Sequence, residues 1–338
     1  MDDYRFCICS LPRLISKNSI LLILMIHFRP DVSVVIVSWN TKGLLRSCLK
    51  TVFEQTKEVS LEVFVVDNNS PDNSAAMVAD EFPQVKLIAN SDNKGFAAAN
   101  NQALDVCTGS YILLLNPDTE IVEGAIDKLT AYYKKHQAEK LGVLVCKLLN
   151  DDGTLQKSVN KFYNFWRSFL DNRFMYSVLS QFSASTRMLT SHWEHDESRA
   201  IDWAYGAVMF YSREIHEKVG TLDARFFIYA EEMDFFMRVS KAGYTNWFIP
   251  EVRIIHYGKS SSRQRRAAMF IQNYKSFYLF LKKHYSFLDL AAYRLRAQIY
   301  LFLWYIKFSF GTTEEDKQQK EVYWQTIRWH FSKDSFSN

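Results

Sequence analysis

The sequence predicts an α/β fold in which a mostly parallel central sheet is flanked by helices. From Val32 onward, short apolar runs alternate with helical stretches, which is the pattern of consecutive β-α-β units. The runs stop abruptly at polar residues, most clearly where residues 111–115, Tyr-Ile-Leu-Leu-Leu, give way to Asn116-Pro117-Asp118. At 338 residues, 48% hydrophobic and 23% charged, the chain is long enough for one large domain with an appendage.

The first part of the chain predicts four strands, each followed by a helix. The run at 111–115 is typical of a strand buried on both faces, and it must end at Pro117 because proline cannot donate to a strand ladder. No Gly-x-Gly-x-x-Gly follows the first strand, so a dinucleotide-binding fold is a weak interpretation. The predicted strands cover residues 32–38, 61–66, 85–88 and 111–115, and the predicted helices cover 43–55, a stretch ending near 82, 96–107 and 122–136.

The pattern changes near Gly142. Residues 160–200 form a long aromatic stretch without periodicity, typical of a functional loop or of a surface that meets a partner or a membrane. Around it we predict strands at 142–149, 154–158, 201–211, 247–250 and 252–256, a short helix before Gly220 and a helix from about 230 to 242. The chain therefore divides into an N-terminal extension (1–30), a main domain (31–258) and a C-terminal helical region (259–338).

Polar residues follow each of the first four strands. Parallel strands end at one edge of a sheet, so these residues are expected to line one crevice, where open α/β sheets bind ligands. Asp67 alone is explained as well by a turn, but four successive polar strand ends favour a nucleotide-sized cleft. Asn116 and Asp118, two residues apart, can both offer oxygen to one hard cation such as Mg²⁺ or Mn²⁺, although Asp118 or Thr119 is also a suitable helix cap.

A cluster of acids opens the helix predicted at 230. Glu231, Glu232 and Asp234 complement the helix dipole, yet carboxylates this close repel each other's ionised forms, which favours a raised pKa suited to proton abstraction. His256, at the end of the last predicted strand, is either a structural histidine or a metal ligand.

Seven segments taken in order resemble the inverting family-two glycosyltransferases of the A-type fold, and most closely their rhamnosyltransferase-like branch. The resemblance covers about residues 31–260. The segments are Val-Ser-Val-Val-Ile-Val-Ser-Trp-Asn, Val-Val-Asp-Asn-Asn-Ser, Asn-Lys-Gly-Phe-Ala-Ala-Ala-Asn-Asn, Leu-Leu-Asn-Pro-Asp, Trp-Ala-Tyr-Gly-Ala, Ala-Glu-Glu-Met-Asp and His-Tyr-Gly-Lys-Ser.

The resemblance implies a role for each matching position. Glu232 would be the base that deprotonates the acceptor, with Glu231 beside it, and Asp118 and His256 would hold a divalent cation on the diphosphate. The donor nucleotide-sugar would contact Ser38, Trp39, Asn40, Asp67, Asn93, Gly95 and Asn116. Two positions depart from the family pattern: Asn116 replaces the first Asp of Asp-x-Asp, which weakens the metal assignment, and Glu232 replaces the commoner Asp.

The implied reaction moves a sugar, with dTDP-rhamnose the favoured donor, to a glycan or lipid-linked glycan in cell-surface polysaccharide synthesis. Attack by the acceptor hydroxyl opposite the diphosphate inverts the anomeric carbon without a covalent enzyme intermediate. A nucleotidyltransferase is a weaker alternative because Ser38-Trp39-Asn40-Thr41-Lys42 lacks a glycine-rich phosphate loop. A non-catalytic membrane-associated scaffold is the other, and the set Asp67, Asp118, Glu232 and His256 counts against it.

Charge and cysteine content bear on location. Residues 259–310 contain ten Lys or Arg but one acid, Asp289, and many aromatics, which favours an anionic membrane surface over nucleic acid. The five cysteines show no disulfide or zinc spacing and are typical of reduced, buried thiols. We therefore expect a cytoplasmic protein, peripheral on the inner face of the plasma membrane.

Overall fold

The computed structural model describes residues 29–164, 193, 195–258 and 266–332. The predicted N-terminal extension and most of the aromatic stretch at 160–200 lie outside these residues. The described strands are β1 (Val32–Ser38), β2 (Leu61–Asp67), β3 (Lys86–Ala89), β4 (Tyr111–Leu115), β5 (Thr119–Ile121), β6 (Leu141–Leu149), β7 (Leu155–Gln156), β8 (Val159–Asn160), β9 (Arg199–Ile201), β10 (Trp203–Ala204), β11 (Val208–Ser212) and β12 (Thr245–His256).

One sheet forms the centre of the main domain. Its strand order is β3-β2-β1-β4-β11-β6-β12-β5. The strands from β3 to β4 are all parallel, as is the pair β6 and β12. Strand β11 runs antiparallel between β4 and β6, and β5 runs antiparallel beside β12. The prediction of a mostly parallel central sheet is therefore confirmed.

Helices cover both faces of this sheet. They are α1 (Lys42–Gln55), α2 (Ser74–Glu81), α3 (Phe96–Leu104), α4 (Ala125–Lys135), α5 (Arg213–Val219), α6 (Glu231–Lys241), α7 (Arg266–His284), α8 (Phe287–Ser309) and α9 (Glu314–His330). Alternate residues of β1 enter different cores: Val34 and Ile36 pack in one, Val35 and Val37 in the other. A strand whose two faces are both covered is largely apolar, which explains the run of hydrophobic side chains at residues 34–37.

Several local expectations differ from the structure. The strand predicted at 154–158 is divided between β7 and β8, and the one predicted at 201–211 is divided among β9, β10 and β11. Instead of a turn into a helix at 122, the chain after Asp118 forms β5, which pairs with Ile254–His256 of β12 and delays α4 until Ala125. The two strands predicted at 247–250 and 252–256 are one irregular strand, β12. In the last two places pairing with a strand distant in sequence overrides the local pattern.

The C-terminal helices α7, α8 and α9 pack together, and α7 packs against α6. Phe280 and Leu281 of α7 contact Phe226, Ala230 and Met233, so this region shares a hydrophobic core with the segment leading into α6. Helices α8 and α9 each begin with a capping box, Ser286 with Asp289 and Thr313 with Asp316. Within the part of the chain that the structure describes, every helix is too short or too polar to cross a bilayer.

Candidate active site

The carboxyl ends of the parallel strands bring the predicted polar residues to one edge of the sheet. Ser38 at the end of β1 is paired in register with Asp67 at the end of β2. The Asp67 carbonyl accepts a hydrogen bond from Asn90 N, just beyond β3, at 2.9 Å. Asn116 follows β4, the neighbour of β1 on its other side. The crevice expected from the sequence is thus continuous from β3 to β4.

Asp67 lies buried with an unmet hydrogen-bonding capacity. Its Oδ2 accepts from Ser70 N at 2.9 Å, whereas its buried Oδ1 has no partner. Asn40 adopts a left-handed conformation, with φ of 55°, and its backbone N donates to Ser70 Oγ at 2.9 Å. The loops after β1 and β2 are therefore joined by hydrogen bonds beside Asp67. Trp39, in the loop after β1, is half-buried. Because an unpartnered buried carboxylate oxygen is costly, it is the natural position for an N–H donor on a ligand.

Asn68 joins the loops after β2 and β3 to the start of α3. Its Nδ2 donates to the Gly95 carbonyl at 3.0 Å, and its Oδ1 accepts from Asn90 Nδ2 at 3.0 Å. Gly95 N in turn donates to Asn93 Oδ1 at 2.9 Å, in a backbone conformation (φ of 82°) that favours glycine. Asn93 itself is exposed, whereas Asn68 is buried. The sequence singled out Asn93 and Gly95, but not the buried residue that holds them.

Asp118, Asn116 and His256 come together beside the end of β4. His256 Nε2 lies 3.3 Å from Asp118 Oδ1 and 3.5 Å from Asn116 Nδ2. Pairing of β5 with β12 brings them together, because it places His256 opposite Thr119. Asp118 is 6% exposed, deeper than the open cleft position expected for a metal-binding residue.

Gln156 sets the orientation of the His256 ring. The Gln156 amide nitrogen donates to Asn150 Oδ1 at 3.1 Å and to the His256 carbonyl at 3.3 Å. Its oxygen therefore faces His256 Nδ1, at 2.6 Å, which assigns the donating proton to Nδ1. In the neutral ring the lone pair of Nε2 then points toward Asp118, an arrangement typical of a metal-binding histidine and its supporting hydrogen bond.

This donor set fits a divalent cation. A carboxylate oxygen and an imidazole nitrogen face one another, and the Asn116 side chain can contribute an amide oxygen; Mn²⁺ accepts all three and Mg²⁺ prefers the oxygens. Among the described residues there is no cluster of three or more His, Cys, Asp or Glu side chains suited to a metal. Asn116 stands where the family pattern has a carboxylate, so this site offers two side chains of those four types, Asp118 and His256.

The start of α6 carries two neighbouring glutamates, of which Glu231 is buried and Glu232 half-buried. An oxygen of each, Oε2 of Glu231 and Oε2 of Glu232, is buried without a hydrogen-bonding partner. Burial, reinforced by the neighbouring Glu232 charge, raises the pKa of Glu231 well above its ordinary value. Burial also raises the pKa of Glu232, to about 7, against the opposing effect of backbone hydrogen bonds at the helix start. A carboxylate in this state is basic enough to accept a proton near neutral pH.

Glu232 lies beside the end of β4. Ala207 accepts a hydrogen bond from Asn116 N at 3.0 Å, which places the preceding residue, Gly206, at the same edge of the sheet. A Cβ on Gly206 would stand 3.3 Å from Glu232 Cβ, so a larger residue there would crowd the glutamate. Phe227, near the start of the segment that leads to α6, accepts from Phe96 N at 2.6 Å. The predicted base and the predicted donor residues thus share one crevice.

Asp234, the third acid of the cluster, is in a different state. It is fully buried and contacts Arg238, Lys283 and His284. Burial alone would raise the pKa of Asp234, but hydrogen bonds from His284 and Lys283 and the nearby Arg238 charge outweigh it and lower the pKa. Lys283, counted in the sequence among the basic residues for a membrane surface, is therefore used inside the protein.

Comparison with known proteins adds independent information. Residues 33–192 match the sequence profile of Glycosyl transferase family 2. Over 244 residues the chain is 25% identical to N-acetylglucosaminyl-diphospho-decaprenol L-rhamnosyltransferase of Mycobacterium tuberculosis, covering 68% of this chain and 77% of that protein. It is also 26% identical to the O-antigen biosynthesis protein RfbC of Myxococcus xanthus, over 69% of this chain but 18% of that protein.

Among solved structures, the chain is similar to the mannosyltransferase PcManGT from Pyrobaculum calidifontis, determined in complex with GDP-Man and Mn²⁺. The TM-score is 0.52 at 17% identity, over 89% of this chain and 86% of that one. At this identity the likeness establishes the fold and leaves the chemistry to be argued from the residues.

Proposed function

We propose that the chain, whose residues 33–192 match the profile of glycosyl transferase family 2, is a glycosyltransferase of that family, and that it transfers a sugar from a nucleotide-sugar to a glycan or lipid-linked glycan with inversion at the anomeric carbon. The observation that carries the proposal is the Glu232 carboxylate beside the end of β4. It is partly desolvated, has an unpartnered oxygen and shares a crevice with Asp67 and Asp118. No such carboxylate is needed by a protein that only binds nucleotides.

Glu232 would take the proton of the acceptor hydroxyl as that oxygen attacks the anomeric carbon. The new carbon–oxygen bond forms on the face opposite the diphosphate, while the bond to the nucleoside diphosphate breaks and its electron pair leaves with the phosphate. Glu232 ends the step protonated and returns its proton to solvent. The unpartnered Asp67 Oδ1 would accept an N–H from the nucleotide base and hold the donor in place.

Asp118 and His256, with Asn116 beside them, would hold Mg²⁺ or Mn²⁺, which when bound stabilises negative charge on the leaving diphosphate. The tautomer set by Gln156 supports this role because it leaves His256 Nε2 unprotonated, with a lone pair that can coordinate a metal. The Asn116 amide is a weaker ligand than a carboxylate, so we expect the cation to bind well only together with the donor.

The favoured donor is dTDP-rhamnose, and the favoured acceptor is a lipid-linked saccharide of cell-surface polysaccharide synthesis. The name of the similar protein from Mycobacterium tuberculosis supports a rhamnose donor and a lipid-linked acceptor, and that of the Myxococcus xanthus protein supports a role in cell-surface polysaccharide synthesis. Geometry supports the class of donor, a nucleotide-sugar, more strongly than the particular sugar.

We propose further that the outward face of α8 rests on the inner surface of the plasma membrane. Arg296 and Lys307 flank this face, and Asp289, the single acid of α8, is engaged in the helix cap. Such a helix fits the interface of an anionic bilayer, where apolar side chains enter the boundary and cations meet the headgroups. The exposed apolar side chains are Leu288, Leu295, Ile299, Phe302, Leu303, Ile306 and Phe310.

The membrane proposal is tested by sedimentation with vesicles. Ile299→Ser with Leu303→Ser should weaken binding to phosphatidylglycerol vesicles, and added salt should weaken binding of the parent protein. Val106→Ser, which changes an equally exposed apolar residue of the main domain, serves as the control. Equal binding by all three proteins would refute the proposal. Removing residues 259–338 is a poorer test because α7 packs against α6.

The reaction is tested by offering the purified protein a panel of nucleotide-sugars with a lipid-linked acceptor. Mass spectrometry identifies the transferred sugar, and NMR of the new linkage gives its anomeric configuration. Retention of configuration would refute the mechanism. Release of pyrophosphate would favour a nucleotidyltransferase, and neither transfer nor donor hydrolysis with any sugar would favour the scaffold.

A further inference from the structure

The segment from Asp223 to Asp234, which contains the two glutamates, is held from outside the sheet by α7. Asp234 Oδ1 lies 2.6 Å from Lys283 Nζ and 2.7 Å from His284 Nε2. Lys283 Nζ also lies 2.7 Å from Asp223 Oδ2, so one ammonium group joins the two ends of the segment. In the middle, Ser276 Oγ donates to the Ile228 carbonyl at 2.7 Å.

The hydrogen-bonding pattern fixes how His284 contributes. Its Nδ1 lies 2.9 Å from Lys241 Nζ, and an ammonium group can only donate, so Nδ1 accepts. Nε2 therefore carries the ring proton and donates it to Asp234. Lys241 and Asp234 lie in the last and first turns of α6. The His284 imidazole, at the end of α7, therefore forms hydrogen bonds with both ends of that helix.

The segment needs such support because its backbone is unfavourable. Tyr229 and Ala230, immediately before Glu231, have φ of 70° and 66°, a left-handed conformation that is unfavourable for a residue other than glycine. The buried carboxylate oxygens of the two adjacent glutamates add a desolvation cost of the same sign. A conformation opposed by both terms persists only where the surroundings fix it, and the contacts described above are made by α7.

We propose that Lys283 and His284 are positioning residues which act through Asp234 to hold Glu232 in line with the acceptor hydroxyl. This inference rests on the proposed role of Glu232 as the base. Lys283 and His284 both contact Asp234, which is fully buried, and they reach Glu232 only through α6. The C-terminal region then contributes to the geometry of the active site through α7, in addition to the membrane contact proposed for α8.

Steady-state kinetics of Lys283→Met test the proposal, with Lys283→Arg as the conservative variant and Lys275→Met as the control. Lys275 lies on the same helix but contacts the Trp329 ring, away from α6. We expect Lys283→Met to lower kcat by about 10- to 100-fold, as a small misplacement of a catalytic group does, with the donor KM nearly unchanged. Lys283→Arg should recover most of the loss, and Lys275→Met should match the parent.

A pH profile gives a readout that general destabilisation would not move. Without Lys283, Asp234 loses one compensating cation, so negative charge near Glu232 grows and the acidic limb of kcat/KM should move to higher pH. Among the residues that the structure describes, Glu231 and Tyr205 also interact electrostatically with Glu232, and both are retained in the variant. Should Lys283→Met fail to fold by circular dichroism, Lys283→Gln is measured in its place.

Glu232→Gln separates this inference from the function on which it rests. If Glu232→Gln turns over like the parent, the base assignment fails whatever Lys283 does. If Glu232→Gln is inactive while Lys283→Met keeps both the parent kcat and the parent pH profile, the positioning role alone is overturned.

Discussion

The two ends of the crevice are built in different ways. At the donor end, Asp67, Asn68 and Gly95 are linked by hydrogen bonds between loops that follow neighbouring parallel strands, over separations of 3 to 27 residues. At the base end, the acids of α6 depend on His284, which lies 50 residues from Asp234 along the chain. The donor end is therefore a property of the sheet, while the base end requires a helix from the C-terminal region.

The same contrast appears among three acids of one helix turn. Asp234 is surrounded by donors and keeps a lowered pKa, whereas burial raises the pKa values of Glu231 and Glu232, each of which has one buried oxygen without a partner. Stabilising contacts are thus concentrated on the residue that faces α7, and unmet hydrogen-bonding capacity on those nearer the crevice. Functional sites commonly combine such pairs of neighbouring groups with opposite pKa shifts.

The largest expected effect is that of Glu232→Gln, which tests whether catalysis is concentrated at the base end. We expect turnover to fall by about 10²–10⁴-fold, as for loss of a general base, while donor binding measured by calorimetry is unchanged. Glu231→Gln is the matched control. If it abolishes turnover and Glu232→Gln does not, the base is the other glutamate.

Asp118→Ala tests the donor end, where we expect an effect on binding. The variant should lose divalent-dependent binding of the donor nucleotide, by about tenfold or more in Kd, because His256 alone is a weak site. Because Asp118 is buried against His256, its thermal unfolding should be followed in parallel. Unchanged metal-assisted binding in calorimetry would reject the assignment.

The pH dependence of kcat/KM sharpens the comparison further. Glu232 acts as a base only when ionised, and its pKa is raised to about 7 by burial. Activity should therefore increase by about tenfold per unit as pH rises toward that value and then level off. An acidic limb centred near the ordinary value for glutamate would show that Glu232 is solvated during turnover.

The smallest expected effect is on stability, in Glu231→Gln. Because the folded-state pKa of Glu231 is raised, the folded protein holds a proton that the unfolded chain releases, so stability falls as pH rises above the ordinary glutamate value. The amide removes that loss and should stabilise the protein at pH 8 by about 1–3 kcal/mol, with a smaller gain at pH 5. Urea unfolding at both values measures the difference. An equal change at both would contradict the raised pKa.

Much of the sheet could be predicted because its strands are buried on both faces. Residues 32–38 and 111–115 were predicted with the bounds of β1 and β4, where an apolar run and a polar stop coincide with the strand itself. Strand β5 was missed because Thr119–Ile121 carries no strand pattern and is ordered by β12. The fold class is confirmed, whereas the roles of the site residues stay predictions.

The site was predictable only as far as its local motifs extend. The polar strand ends gave Asp67, Asn93, Gly95 and Asp118, each next to a recognisable strand end or helix start. Gln156 could not be inferred, since it meets His256 over a separation of 100 residues. Lys283 was predicted, from its charge alone, to belong to a membrane-binding surface. Charge does not distinguish an ammonium group at a membrane from one that lies between two carboxylates of the same chain.

The Asp234 cluster also limits how such enzymes can be recombined. A hybrid joined between residues 258 and 266 would take Asp223 and Asp234 from one parent and Lys283 and His284 from the other. Unless both parents carry the same four residues, the hybrid inherits a buried carboxylate without its cation. The chain between β12 and α7 is therefore a poor crossover point. The four residues have to be inherited as one set.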